Sequence, residues 1–147
     1  MKGSRRRSRE LALQGLYQWL LNAASADELL KQLADTEAFA GADRAFLEET
    51  LRATVAAAEP LRAKLRPHLD RKVESLSPVE HALLLMAAWE LSERVDTPYR
   101  VILNEAVELA KRYGGTDGHK YVNGVLDKLA AELRPAEVAE RARTKGR

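Results

Sequence analysis

The sequence predicts an all-α protein, a single-domain bundle of about seven helices. Apolar residues recur at three- and four-residue spacing through most of the chain. No run alternates apolar and polar as a half-buried strand does, and helix-capping residues stand where the periodic segments begin. At 147 residues, 46% apolar and 31% charged, the chain is long enough to enclose a core of its own. It has no cysteine, which excludes disulfides and thiolate chemistry and favours a reducing compartment.

The first helix is expected to start near Ser8 or among the arginines before it, with Leu13, Leu16, Tyr17, Leu20 and Leu21 as its apolar face. Ser25 caps a second helix, Glu28 completes a capping box, and Leu29, Leu30 and Leu33 face inward. Gly41 breaks the pattern. Asp43 then caps a third helix that turns Phe46, Leu47, Leu51, Thr54 and Val55 to the core. Pro60 and Pro67 interrupt the next stretch, so residues 61–73 make one or two short helices.

Ser77-Pro78-Val79-Glu80 is the strongest start signal: a serine cap, proline at the first helical position and glutamate at the third. The helix it opens runs to about Val95 and is apolar on all sides over residues 82–89, as a central helix must be. Thr97-Pro98 opens the next, with regular structure beginning as late as Asn104. It closes at Tyr113-Gly114-Gly115, where a glycine adopts the left-handed conformation. Asp117 or Thr116 caps the last helix, which buries Tyr121, Val122, Val125, Leu126, Leu129 and Leu133 and stops at Arg134-Pro135. Within it Gly124 is unfavourable by about 1 kcal/mol relative to alanine, and close approach of another helix is the expected reason. Residues 1–135 form the domain, and 136–147 a basic tail.

Net charge is only +2, but it is unevenly placed. Lys2, Arg5, Arg6, Arg7 and Arg9 precede the first acid, Glu10; the segment from Arg134 to Arg147 nets +3, and the body between is near −6. Basic ends on an acidic body suit a polyanion held at one face. No apolar stretch of signal-peptide length precedes Asn22, and no run reaches the ~20 apolar residues that cross a bilayer. A cytoplasmic protein without a membrane partner is expected.

The loop "YGGTDGHKYVNG" (residues 113–124) looks like a phosphate cradle, but it is not a nucleotide site. A Walker loop needs Gly-Lys-Ser/Thr between a strand and a helix, whereas here Tyr121 follows Lys120 and a helix comes before. His68, His81 and His119 lack metal-ligand spacing, and no nucleophile–base arrangement emerges. No catalytic residue, metal, cofactor or small-molecule substrate is expected. The backbone N–H groups of Gly118 and His119 could meet a phosphate at the helix start, which the Asp117 carboxylate opposes. Asp117 could instead accept hydrogen bonds from base amino groups. Tyr113, His119, Lys120 and Tyr121 around the loop, with Tyr17 below the arginines, fit single-stranded RNA, whose bases stack on aromatic rings while cations hold its phosphates. A capped helical hairpin with core tyrosines would use the same residues.

"RRRSRELALQGLYQW" (residues 5–19) resembles the N-terminal arginine-rich motif of NusB transcription antitermination factors. "PYRVILNEAVELAKRYGGTDGHKYVNGVLDKLA" (residues 98–130) resembles the family's C-terminal signature, and "SPVEHALLLMAAWEL" (residues 77–91) its central helix more loosely. The resemblance implies two helical subbundles and a noncatalytic RNA-binding adaptor. Such a protein binds the boxA element of nascent ribosomal RNA with NusE, a small-subunit ribosomal protein. With other Nus factors on RNA polymerase it suppresses Rho-dependent termination. By position, the RNA surface would be Arg5, Arg6, Arg9, Tyr17, Asp117, His119, Lys120 and Tyr121, and the NusE surface Glu74 and Glu80. Residues 22–44 and those after Pro135 match no family pattern. NusB-like domains also precede the catalytic part of certain ribosomal RNA cytosine methyltransferases, but this chain has no glycine-rich cofactor loop after a strand. A pure protein-interaction bundle, its arginines only solvating one end, and a membrane-surface helix complete the range of functions open to such a chain. With three to five phosphates neutralised, the RNA reading implies a log–log salt slope of about −2 to −3.5.

Overall fold

The computed structural model describes residues 3–145; Lys2 and Arg147, counted among the basic ends, lie outside the described residues. Among the described residues eight α-helices follow one another: α1 (Arg5–Asn22), α2 (Ala26–Ala34), α3 (Arg44–Ala56), α4 (Ala58–Leu65), α5 (Pro78–Glu93), α6 (Tyr99–Tyr113), α7 (Gly118–Leu133) and α8 (Pro135–Lys145). Among the described residues there is no strand, only one bridge between Ser4 and Ala42. Gly3 makes that bridge possible, since a Cβ there would lie 2.0 Å from the Ala42 carbonyl oxygen.

Most starts follow the expected chemistry. Ser25, Asp43 and Ser77 each accept a hydrogen bond from the backbone N–H three residues on. α1 begins earlier than Ser8, because Ser4 caps it through the Arg7 N–H. Pro60 falls in the first turn of α4, where a missing N–H costs no helical bond. α6 is regular from Tyr99 and does not wait for Asn104.

α1, α2 and α3 pack together as one subbundle and α4 to α7 as a second, and α5 belongs to both, touching α1, α3, α4, α6 and α7. Its residues 82–91 are all buried, as a helix apolar on every side requires. The face of α1 differs from expectation. Leu11, Ala12, Leu13 and Leu16 are buried, whereas Tyr17 and Leu21 are exposed. On α3, Thr50 takes the inward place expected of Val55, which is half-buried.

Of the segment expected as a tail, the described residues up to Lys145 belong to α8, and the junction from Arg134 to Glu137 is structural. The Arg134 guanidinium donates to the carbonyls of Glu90, Leu91, Arg94 and Thr97 at 2.7–3.2 Å, closing the open end of α5. It also donates to Glu137, whose other carboxylate oxygen accepts the Tyr99 N–H at 2.7 Å and so caps α6. Partial burial works against the Glu137 charge, but these two hydrogen bonds hold its pKa below the usual carboxylate range.

Gly124 is exposed, with nothing within 4 Å of where its Cβ would be, so no helix approaches there. Gly124→Ala is expected to raise stability by about 0.5–1 kcal/mol in a denaturant melt.

His81, half-buried on α5, accepts a hydrogen bond from Arg62 of α4 at 3.1 Å. Burial and then the Arg62 charge push its pKa down from 6.5 to about 4. Between those values the unfolded chain binds a proton that the native state refuses. The His81 contribution is therefore intact above pH 6.5 and is lost as pH falls toward 4. Melting temperatures across that window should fall less steeply for His81→Gln than for the parent.

Candidate nucleic-acid interface

The arginine-rich start of α1 is divided by helical register. Arg9 turns inward: Nε and Nη2 donate to the two carboxylate oxygens of Glu90 on α5 at 2.9 and 2.8 Å. The two residues are 4% and 1% exposed, so this bidentate pair is buried between the subbundles. Arg9, Arg5 and Arg94 all lie over the Phe46 ring, 4.6–5.0 Å from its centre. Arg9 is therefore unavailable to phosphate, contrary to the sequence expectation, because its charge is consumed in the core. Arg5 is half committed, 3.6 Å from Asp96 and 3.5 Å from the Thr97 hydroxyl.

Arg6 and Arg7 point outward. Arg6 meets Glu105 of α6 at 3.2 Å, whereas Arg7 has no ion pair among the described residues. On the same face Arg7, Glu10, Gln14 and Tyr17 border a groove of about 360 Å³, whose other side is Tyr113 at the end of α6 and Val79 at the start of α5. Tyr17 and Tyr113 are 40% and 45% exposed, so each offers part of a ring to a flat ligand, and Tyr17 is not a core tyrosine. The Glu10 carboxylate accepts the Tyr113 hydroxyl at 2.7 Å and lies 3.4 Å from Arg112. Donating to Glu10, with a smaller effect of burial, holds the Tyr113 phenol pKa above its usual value. Arg7, Glu10 and Gln14 went unselected in the sequence, although their spacing with Tyr17 places all four on one helical face.

Through Tyr113, α1 adjoins the glycine loop. Among the described residues no glycine has positive φ. Asp117 takes the left-handed conformation at φ 65°, one that aspartate tolerates better than most residues. Gly114 is needed for another reason: a Cβ would lie 2.7 Å from the Ala110 oxygen. The Asp117 side chain caps nothing and pairs with Lys120 at 3.3 Å. The Gly118 N–H, expected to be open to phosphate, donates to the Gly115 carbonyl at 3.1 Å. His119 is half-buried and Lys120 exposed at the start of α7.

Tyr121 is half-buried beneath the Arg71 guanidinium, 4.1 Å from the ring centre, outside the groove lining. Glu80 packs against the first turn of α7, where a Cβ on Gly118 would come within 3.2 Å of its carboxylate. Glu80 thus borders the loop rather than a separate face, while Glu74 is exposed on the short turn Val73–Ser75. Arg5, Arg6, Tyr17, Asp117, His119 and Lys120 fall in the α1–loop region, with Arg9 in the core and Tyr121 against Arg71.

An all-helical bundle with two exposed tyrosines and an arginine without an ion pair around an apolar groove has the chemistry of a binding protein, one able to take a flat, anionic ligand. The NusB family model matches residues 6–131, and the chain belongs to the NusB family. It is 58% identical over 140 residues to the transcription antitermination protein NusB of Burkholderia lata, covering 95% of this chain and 97% of the relative. It is 55% identical over 143 residues to the NusB of Paraburkholderia phymatum, covering 97% and 99%. The crystal structure of T. maritima NusB superposes with a TM-score of 0.80 at 27% identity, over 95% of this chain and 99% of that one. A chain from the crystal structure of the antitermination factors NusB and NusE in complex with dsRNA has a TM-score of 0.75 at 23% identity, over 87% and 96%, and shares the fold.

Arg9→Ala should lower unfolding free energy by about 3–5 kcal/mol, since it strands a buried carboxylate. Arg7→Ala on the same helix should stay within about 0.5 kcal/mol in the same urea melts.

Proposed function

We propose that this chain is a noncatalytic, RNA-binding transcription antitermination factor. In this reading it binds the boxA element of nascent ribosomal RNA together with NusE and helps RNA polymerase, with other Nus factors, resist Rho-dependent termination. The observation that carries the RNA reading is the Tyr17–Tyr113 groove. Bases stack on the exposed rings, the uncompensated Arg7 takes a phosphate, and Gln14 in the groove, with Asp117 on the loop beyond Tyr113, meets base edges. Arg6, His119 and Lys120 extend the contact, and Arg5 lies at its margin. Arg9 and Tyr121 support the surface from behind: Arg9 holds α1, and Tyr121 packs under Arg71.

Residues 1–135 constitute the RNA-binding domain, with 136–147 as an appended basic element. Glu74 is the exposed acid best placed for a basic ribosomal protein such as NusE, while Glu80 stands where the NusE and RNA surfaces adjoin. Among the described residues no helix is long and apolar enough to cross a membrane. Work on nascent RNA places the protein in the cytoplasm.

The test is a titration of labelled single-stranded boxA RNA, with and without NusE, at several salt concentrations. Tyr17→Ala should lose about 1–3 kcal/mol of binding with its salt slope intact, as loss of one stacked base requires. Arg7→Ala should weaken every RNA and flatten the slope by about 0.7. If both variants bind boxA as the parent does, the groove is not the RNA site.

A further inference from the structure

Two outward cations, Arg6 on α1 and Arg112 at the end of α6, are not free. Arg6, 72% exposed, is held at 3.2 Å by Glu105, whose side chain is only 15% exposed. Arg112, 57% exposed, lies 3.4 Å from Glu10, which is 25% exposed and also accepts the Tyr113 hydroxyl. In both pairs the carboxylate is the sheltered partner and the guanidinium the solvated one. Glu10 is further fixed by the tyrosine and lines the groove itself. A guanidinium so paired presents a dipole rather than a charge beyond a few ångströms. Its pull on a phosphate about a Debye length away is largely cancelled. Among the described residues lining the groove, only Arg7 keeps a full charge on the rim.

We propose that Glu10 and Glu105 are selectivity residues: built-in counter-ions that suppress binding of RNA of arbitrary sequence. The inference rests on the RNA-binding reading and adds to it. Indiscriminate RNA binding is driven by phosphate neutralisation, so cancelling Arg6 and Arg112 at a distance removes most of that drive. Stacking between Tyr17 and Tyr113 and contacts to base edges are short-ranged and survive. Glu10 also holds the Tyr113 ring at the groove, so the same carboxylate that rejects loose phosphate keeps the stacking surface in place.

The experiment compares the parent, Glu10→Gln and Glu105→Gln for binding to labelled boxA RNA and to a scrambled single strand of equal length over a salt series. Each variant should bind the scrambled RNA up to about fivefold more tightly at low salt, the worth of an exposed ion pair. Each slope should steepen by about 0.7, and the preference for boxA should narrow. The Glu105→Gln gain should shrink when Arg6 is already alanine, which separates a counter-ion effect from a general change in structure. Thermal melts identify a variant that has lost its fold, and the two glutamates lie on different helices, so each tests the inference independently. Variants that melt like the parent yet bind scrambled RNA no better, or less well, overturn the proposal while the RNA-binding reading stands. A parent that binds neither RNA at any salt overturns both.

Discussion

The buried pair between Arg9 and Glu90 is the constraint that positions the functional face. Two charges taken out of water are tolerable only when paired in good geometry, and the bidentate contact at 2.8–2.9 Å meets that demand. It sets the rotation of α1 about its axis. With 3.6 residues per turn and Arg9 directed into the core, Arg6, Tyr17, Glu10, Gln14 and Arg7 fall about 60° to 160° around the helix from it. That arc is the groove wall together with its Arg6 margin. A slip of one residue would bury Glu10 and carry Arg7 away from Tyr113.

Glu90 is also where the two ends of the chain meet. Its side chain holds α1 through Arg9, while its carbonyl accepts a hydrogen bond from Arg134 at 3.2 Å. Arg134 and Glu137 between them close the carboxyl end of α5 and the amino end of α6: Arg134 adds to the backbone bonds that the Glu90 and Arg94 carbonyls already accept, and Glu137 takes the Tyr99 N–H. The basic ends thus divide into cations spent on structure, Arg9 and Arg134, and cations left outside, among them Arg6 and Arg7. Net charge along the sequence does not make that distinction.

Local chemistry was legible in the residues themselves. The caps at Ser25, Asp43 and Ser77, the all-round apolarity of α5 and the nearness of α1 to the glycine loop follow from side-chain pattern or from the resemblance to the family. What escaped depends on distant partners. Arg9 reads as a surface cation because Glu90 lies 81 residues away. Tyr17 and Leu21 continue the apolar spacing of α1 but extend past the bundle that would cover them. The sequence points to a glycine as the left-handed residue of the loop, yet it is Asp117; Gly114 is required by contact with Ala110 instead. Glu80 stands apart from the loop in sequence and packs against it only once α5 and α7 are side by side.

Five arginines on or beside one helix therefore have distinct physical roles. Arg9 is consumed in the core, Arg5 and Arg94 share the Phe46 ring at its edge, Arg6 is neutralised by Glu105, and Arg7 alone of the five is unpaired among the described residues. A polyanion approaching this face meets little net charge until it is close enough to touch. In the proposed RNA reading, recognition then rests on two tyrosine rings and a few polar groups held by a rigid bundle, interactions that depend on geometry more than on charge. An arginine-rich motif at the end of a helical bundle can thus build a weakly charged site, because helix register, more than the number of cations, decides what a ligand encounters.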